Sequence, residues 1–189
     1  MKPISYTMVN MITFYRLAAA PVLVILLLGV HFDLFKWLLA LSFFTDAIDG
    51  WLARKFRVVS VLGAKVDSIA DDLTVAVSVF GIILYHPDFL ALHGVLIAIL
   101  VAFYLAQNGV ALIRFRKLTS FHTYMAKVAA VFQGIFLVLF YFLPEPIAVL
   151  FYCTVAVTLL DLTEEIVLAL LLHKWEADVK GLYWVLQRN

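Results

Sequence analysis

The chain has 189 residues, of which 65% are hydrophobic and 14% charged, against about 45–50% and 25% in soluble globular domains. A soluble protein of this length leaves roughly 30% of its unfolded surface in water, which so few charges cannot clothe, so an ordinary soluble domain is excluded and lipid is the expected solvent. With 14 Lys+Arg against 13 Asp+Glu the formal net charge is +1, so no polyanion-binding surface is implied and nucleic acid is not an expected partner.

About 20 apolar residues are needed to cross roughly 30 Å of hydrocarbon. Six stretches qualify, near 11–30, 34–54, 62–85, 89–113, 127–143 and 146–172. The breaks between them carry turn chemistry or charge: His31-Phe32-Asp33, Arg54 to Gly63, His86-Pro87-Asp88, Arg114 to Lys127 and Pro144-Glu145-Pro146. The first stretch reads as a retained helix with a bend at Pro21, because Ala18-Ala19-Ala20 runs on into Val22 to Leu28 and not into a polar mature sequence. On the fifth, Ala126, Ala130 and Gly134 form a small-residue stripe that permits close packing. Cys153, in the sixth, reads as a small buried hydrophobe.

Six crossings put both ends of the chain on one side. Thirteen of the 14 Lys and Arg then share that side, with Lys36 opposite, and the positive-inside rule makes it cytoplasmic. Tyr6, Tyr15 and Arg16 near the start, and Trp175, Tyr183 and Trp184 near the end, mix aromatic and basic residues as interfacial segments do. The expected fold is therefore one all-α integral membrane domain over 1–189, with six transmembrane helices and interfacial end segments.

A carboxylate within a membrane span costs several kcal/mol unless it is paired, metal-bound or wetted. Here Asp46 and Asp49 lie on the second span and Asp67 and Asp71 on the third, both pairs roughly 8–13 Å below the cytoplasmic surface at 1.5 Å per residue. Positions 46, 49, 50 and 53 share one helix face and 63, 67 and 71 another, so Gly50, Ala53 and Gly63 stand beside the acids and leave room for a ligand. Four crowded carboxylates repel and take up protons unless a cation sits among them, and all-oxygen donors suit Mg²⁺ or Mn²⁺. Arg54 at the mouth suits a phosphate. The chemistry this suggests is phosphoryl-group transfer, with metal neutralising a diphosphate while an aspartate takes the proton of an attacking hydroxyl. A carboxylate-lined transporter is the rival class, but the outer halves of both spans are nearly free of polar residues.

From Asp46 to Asp71 the sequence reads DAIDGWLARKFRVVSVLGAKVDSIAD. It resembles the signature of the CDP-alcohol phosphotransferase (CDP-alcohol phosphatidyltransferase) family, D-x2-D-G-x2-A-R-x8-G-x3-D-x3-D, at every fixed position. A chance match at one place is on the order of 10⁻¹⁰ at ordinary residue usage. Asn10, Thr13, Arg16 and Pro21 resemble the family's entry segment. The resemblance implies a CDP-linked lipid or alcohol donor, a small hydroxyl acceptor, release of CMP, and homodimers with one site per subunit. By position, Asp46, Asp49, Asp67 and Asp71 would hold one or two divalent metals, with Asp71 also the general base. Gly50, Ala53 and Gly63 would let the cytidine nucleotide approach the backbone, and Arg54 would meet the diphosphate.

Many bacterial glycerophosphate-using members continue as L-D-P-x-A-D-K, where this chain has Val66-Asp67-Ser68-Ile69-Ala70-Asp71-Asp72. The D-S-x-A-D form is similar to some serine-using members. Around the fourth break, however, Arg114, Arg116, Lys117, His122, Tyr124 and Lys127 cluster, as a phosphorylated acceptor would require. Arg116 and Lys117 read as ordinary flanking charge, which leaves Arg114 and Lys127 as the acceptor candidates. Glycerol 3-phosphate is accordingly favoured over serine or inositol, in a bacterial cytoplasmic membrane. Asp161, Glu164 and Glu165 form a second acidic group on the sixth span, expected to pair with Lys127 or Arg114 or to line a wet cavity.

Overall fold

The computed structural model describes residues 18–56, 61–117, 121–176 and 179–187, with side chains described except at 47, 49–56 and 61–68. Seven helices are described: α1 (Ala18–Leu28), α2 (Phe32–Phe56), α3 (Val61–Tyr85), α4 (Pro87–Phe115), α5 (Tyr124–Phe142), α6 (Ala148–Leu171) and α7 (Leu182–Leu186). No strand occurs among the described residues. Each expected span coincides with one of the first six helices to within a few residues at the described ends. Asn10, Thr13, Arg16, Tyr6 and Tyr15 lie outside the described residues. α4 and α5 are long and apolar enough to cross a membrane. α2 and α3, at 25 residues each, and α6 at 24 have the length, about 36 Å or more. Their charged residues interrupt the plain apolar pattern.

The chain forms two compact units, Met1–Pro87 and Asp88–Asn189. In the first, burial follows helical spacing: Ala19, Leu23 and Leu27 on α1, Phe35, Leu39 and Ser42 on α2, and Ala70, Thr74, Ser78 and Ile82 on α3. The hydroxyls on these faces bond to carbonyls of their own helices. Ser42 donates to Leu38 O at 2.9 Å, Thr74 to Ala70 O at 2.8 Å and Ser78 to Thr74 O at 2.8 Å. The Tyr85 hydroxyl donates to Leu27 O at 3.1 Å and its ring meets Phe32 edge-on at 4.8 Å, tying the end of α3 to the α1–α2 turn. In that turn the left-handed position falls on Val30 (φ 59°), while Gly29 is closely packed, a Cβ there standing 3.0 Å from the His31 ring and 3.1 Å from Ile25 O.

α4, which begins at Pro87 and runs through the second unit, has Asp88 in its first turn and Arg114 in its last, charges placed to complement the helix dipole. α5 and α6 form an antiparallel hairpin across Pro144-Glu145-Pro146. One end is an aromatic core in which Phe89 meets Phe140 at 5.0 Å and Phe151 at 5.1 Å. His93, buried there, has its ring 4.5 Å from Phe89 and 4.6 Å from Phe151. At the other end Phe121, Leu168, Ala169, Leu172, Val179 and Val185 form a second core. Large apolar side chains face outward on every long helix, among them Trp37, Phe44, Leu92, Ile113 and Val149. Cys153, expected to be buried, is exposed: the inward face of α6 is set by Phe151, Thr154, Val155 and Thr158, and residue 153 falls about 100° from Thr154.

Candidate active site

α2 and α3 contact each other within the first unit. Asp46 lies ten residues before the end of α2 and Asp71 ten residues after the start of α3. Both side chains are half-buried. Asp49, Gly50, Ala53 and Arg54 continue α2, and Gly63 and Asp67 belong to the first two turns of α3. Their side chains lie outside the described residues. The helical register nevertheless puts 46, 49, 50 and 53 on one face of α2 and 63, 67 and 71 on one face of α3.

Among the described residues no group of three His, Cys, Asp or Glu forms a metal cluster; two of the four expected ligands, Asp49 and Asp67, are not among the described side chains. The donor set fits a hard divalent cation on its chemistry, since all four groups are carboxylates on two contacting helices.

The two acceptor candidates belong to the second unit. Arg114 ends α4 and is exposed. Lys127 is exposed in the first turn of α5, its ammonium 5.2 Å from the centre of the Tyr124 ring, within cation–π range. α5 begins where it does because buried Thr123 caps it, the hydroxyl accepting from Ala126 N at 3.0 Å. Lys117, read as flanking charge, lies over Trp175 at 4.5 Å.

The second acidic group does not make the expected ion pairs. Glu165 accepts a hydrogen bond from the Gln107 amide of α4, and Glu164 Oε1 accepts from Leu182 N at 2.8 Å. Asp161 Oδ1 and Glu164 Oε2 are buried without a hydrogen-bond partner. Glu164 and Asp161 therefore pair with neither Lys127 nor Arg114: the segment that returns after α6 brings a backbone N–H to Glu164, which no spacing rule announces. Gly181 was the available signal. It sits at φ 149°, a conformation essentially confined to glycine, with Glu164 Oε1 and the Trp184 ring 3.0 and 3.3 Å from where its Cβ would stand.

Comparison with known proteins agrees with the signature. The CDP-alcohol phosphatidyltransferase family matches residues 6–160, and the chain belongs to that family. It is 41% identical over 70 residues to a CDP-diacylglycerol--glycerol-3-phosphate 3-phosphatidyltransferase of Rickettsia bellii, covering 35% of this chain and 38% of that protein. Over 43 residues it is 49% identical to a probable CDP-diacylglycerol--inositol 3-phosphatidyltransferase 2 of Arabidopsis thaliana, covering 23% of this chain and 19% of that protein. A cardiolipin synthase (CMP-forming) / mitochondrial hydrolase fusion protein of Schizosaccharomyces pombe is 35% identical over 66 residues, 35% of this chain and 11% of that protein. The matches thus span well under half the length of these curated relatives. No solved structure matches the chain. Membrane association follows from the family and the two apolar helices.

Proposed function

We propose that the chain transfers a phosphatidyl group from a CDP-alcohol, with CDP-diacylglycerol as donor, to glycerol 3-phosphate, releasing CMP. The observation that carries this reading is the complete eight-position signature on two contacting helices, with Asp46 and Asp71 both half-buried. In the proposed reaction the acceptor hydroxyl oxygen bonds to the phosphorus that bears the diacylglycerol. The bond from that phosphorus to the bridging oxygen breaks, and CMP leaves with the bridging oxygen. Asp71 takes the hydroxyl proton. Arg54 holds the diphosphate, and Gly50, Ala53 and Gly63 keep the helix faces low enough for the nucleotide. Asp46, Asp49, Asp67 and Asp71 are the residues to hold one or two Mg²⁺ or Mn²⁺ ions, which when bound supply charge neutralisation at the diphosphate and the leaving group.

Arg114 and Lys127 are proposed to receive the acceptor's phosphate. Both are exposed cations at the two ends of one connection, and the match to a glycerol-3-phosphate enzyme runs over 70 residues, against 43 for each of two inositol enzymes. An inositol-using or serine-using member of the family is the second reading, favoured by the Arabidopsis similarity and by Ser68. We further propose a single catalytic domain over 1–189, six crossings with the aspartates and both ends of the chain on the cytoplasmic face of a bacterial inner membrane, and a homodimer.

The test is metal-dependent CMP release by purified protein with CDP-diacylglycerol and, in separate reactions, glycerol 3-phosphate, serine, inositol, inositol phosphate or no acceptor. Release with glycerol 3-phosphate alone is expected. Release with another acceptor moves the assignment within the family, and ion flux in liposomes without CMP release would replace it with a transporter.

A further inference from the structure

The segment after α6 is fastened at several points to the start of α5. Glu164 Oε1 accepts from Leu182 N at 2.8 Å. Two residues earlier in the segment, Lys180 O accepts from Tyr124 N at 3.2 Å. The Tyr124 ring packs against Trp184 at 5.4 Å and carries the Lys127 ammonium on its other contact, at 5.2 Å. Gly181 lies between the two fastenings at φ 149°, where an L side chain is strained, with Glu164 Oε1 and the Trp184 ring 3.0 and 3.3 Å from where its Cβ would stand. Beneath them Val179 and Val185 are buried with Phe121 of the α4–α5 connection and with Leu168, Ala169 and Leu172.

Tyr124 is thus held by its backbone and its ring by the returning segment, and Lys127 rests on Tyr124. A lysine stem is flexible and loses much entropy when its ammonium is fixed on a ligand. A ring that already holds the ammonium lowers that cost. We propose that the returning segment 179–187 is a positioning strap for Lys127, with Glu164, Gly181 and Trp184 setting affinity for the phosphorylated acceptor without touching any reacting atom. This rests on the proposed role of Lys127 toward the acceptor's phosphate.

The experiment measures KM and kcat for glycerol 3-phosphate and for CDP-diacylglycerol in Glu164→Ala, Glu164→Gln, Gly181→Ala, Trp184→Ala, Lys127→Ala and the Glu164→Ala/Lys127→Ala double variant, with hydrogen exchange at the Tyr124 and Leu182 amides. Glu164→Ala, Gly181→Ala and Trp184→Ala are expected to raise the acceptor KM on the order of fivefold, the size of one lost hydrogen bond or ring contact, with donor KM unchanged. Glu164→Gln, which keeps an oxygen for Leu182 N–H, restores the wild-type value. Lys127→Ala raises acceptor KM by itself and adds nothing further in the double variant, because the strap acts through Lys127. Faster exchange at Tyr124 and Leu182 with an unchanged acceptor KM, while Lys127→Ala still raises it, would overturn the strap alone. An unchanged acceptor KM in Lys127→Ala, or no turnover of glycerol 3-phosphate, overturns the Lys127 reading and the strap with it. Trp184→Ala, at an exposed position with the Glu164–Leu182 bond intact, keeps the question decidable if the Glu164 variants do not fold.

Discussion

Asp71 carries the sharpest local prediction. Replacing it by Asn keeps its shape and removes its basicity, so Asp71→Asn should fold and bind CDP while turnover falls by about 10²–10⁴-fold; CMP release beside CDP binding on the same preparation checks this. His86, between α3 and α4, is held below its ordinary value of 6.5 by burial. The folded protein therefore keeps the ring neutral where the unfolded chain has begun to take a proton. Its contribution is whole above about pH 6.5 and is lost as pH falls through the folded value. The thermal midpoint of purified protein should drop on the acid side of pH 6.5, and His86→Gln should make that drop shallower. Asp33 is also held below the usual carboxylate range, by the Lys36 ammonium at 2.6 Å, but so exposed a pair adds little to stability. Val30 is a β-branched residue in the left-handed region, a placement costing about 1–2 kcal/mol. Val30→Gly should raise the thermal midpoint, and a lowered midpoint would show that the Val30 side chain contributes more than its backbone costs.

Among the elements, α5 depends on a single well-defined start. Thr123 is fully buried and its hydroxyl accepts from Ala126 N, so Thr123→Ala should cost about 1 kcal/mol, and Thr123→Ser should recover most of it; thermal or denaturant unfolding of the two variants checks this. The helices themselves were legible in the sequence because each is a long apolar stretch bounded by Pro, Gly or charge. The polar contacts within them were less so. The acids of α6 invited pairing with Lys127 or Arg114, yet Glu165 meets Gln107, from a helix more than fifty residues away, and Glu164 meets a backbone N–H of a returning segment. Periodicity says which face of a helix a residue occupies but not what that face meets.

For the whole molecule, outward apolar side chains on every long helix predict that the protein stays with the membrane pellet through high-salt and alkaline washes and leaves it only with detergent. Activity should vanish on chelation of divalent metal and return with Mg²⁺ or Mn²⁺, since four carboxylates on α2 and α3 without a cation repel one another. Metal titration of CMP release measures this directly.

The sequence by itself determined the solvent, the helices and the family, because these depend on composition, on apolar length and on the 26-residue run from Asp46 to Asp71, all local in the chain. It placed the aspartates on two neighbouring helices for the same reason, all four lying within that run. Tertiary structure alone decided that Tyr124 is clasped between Lys180 and Trp184, that Gly181 must be glycine, and that Glu164 caps a returning segment. Those contacts join residues tens of positions apart, and their free energy comes from the meeting of surfaces that no single stretch of chain contains.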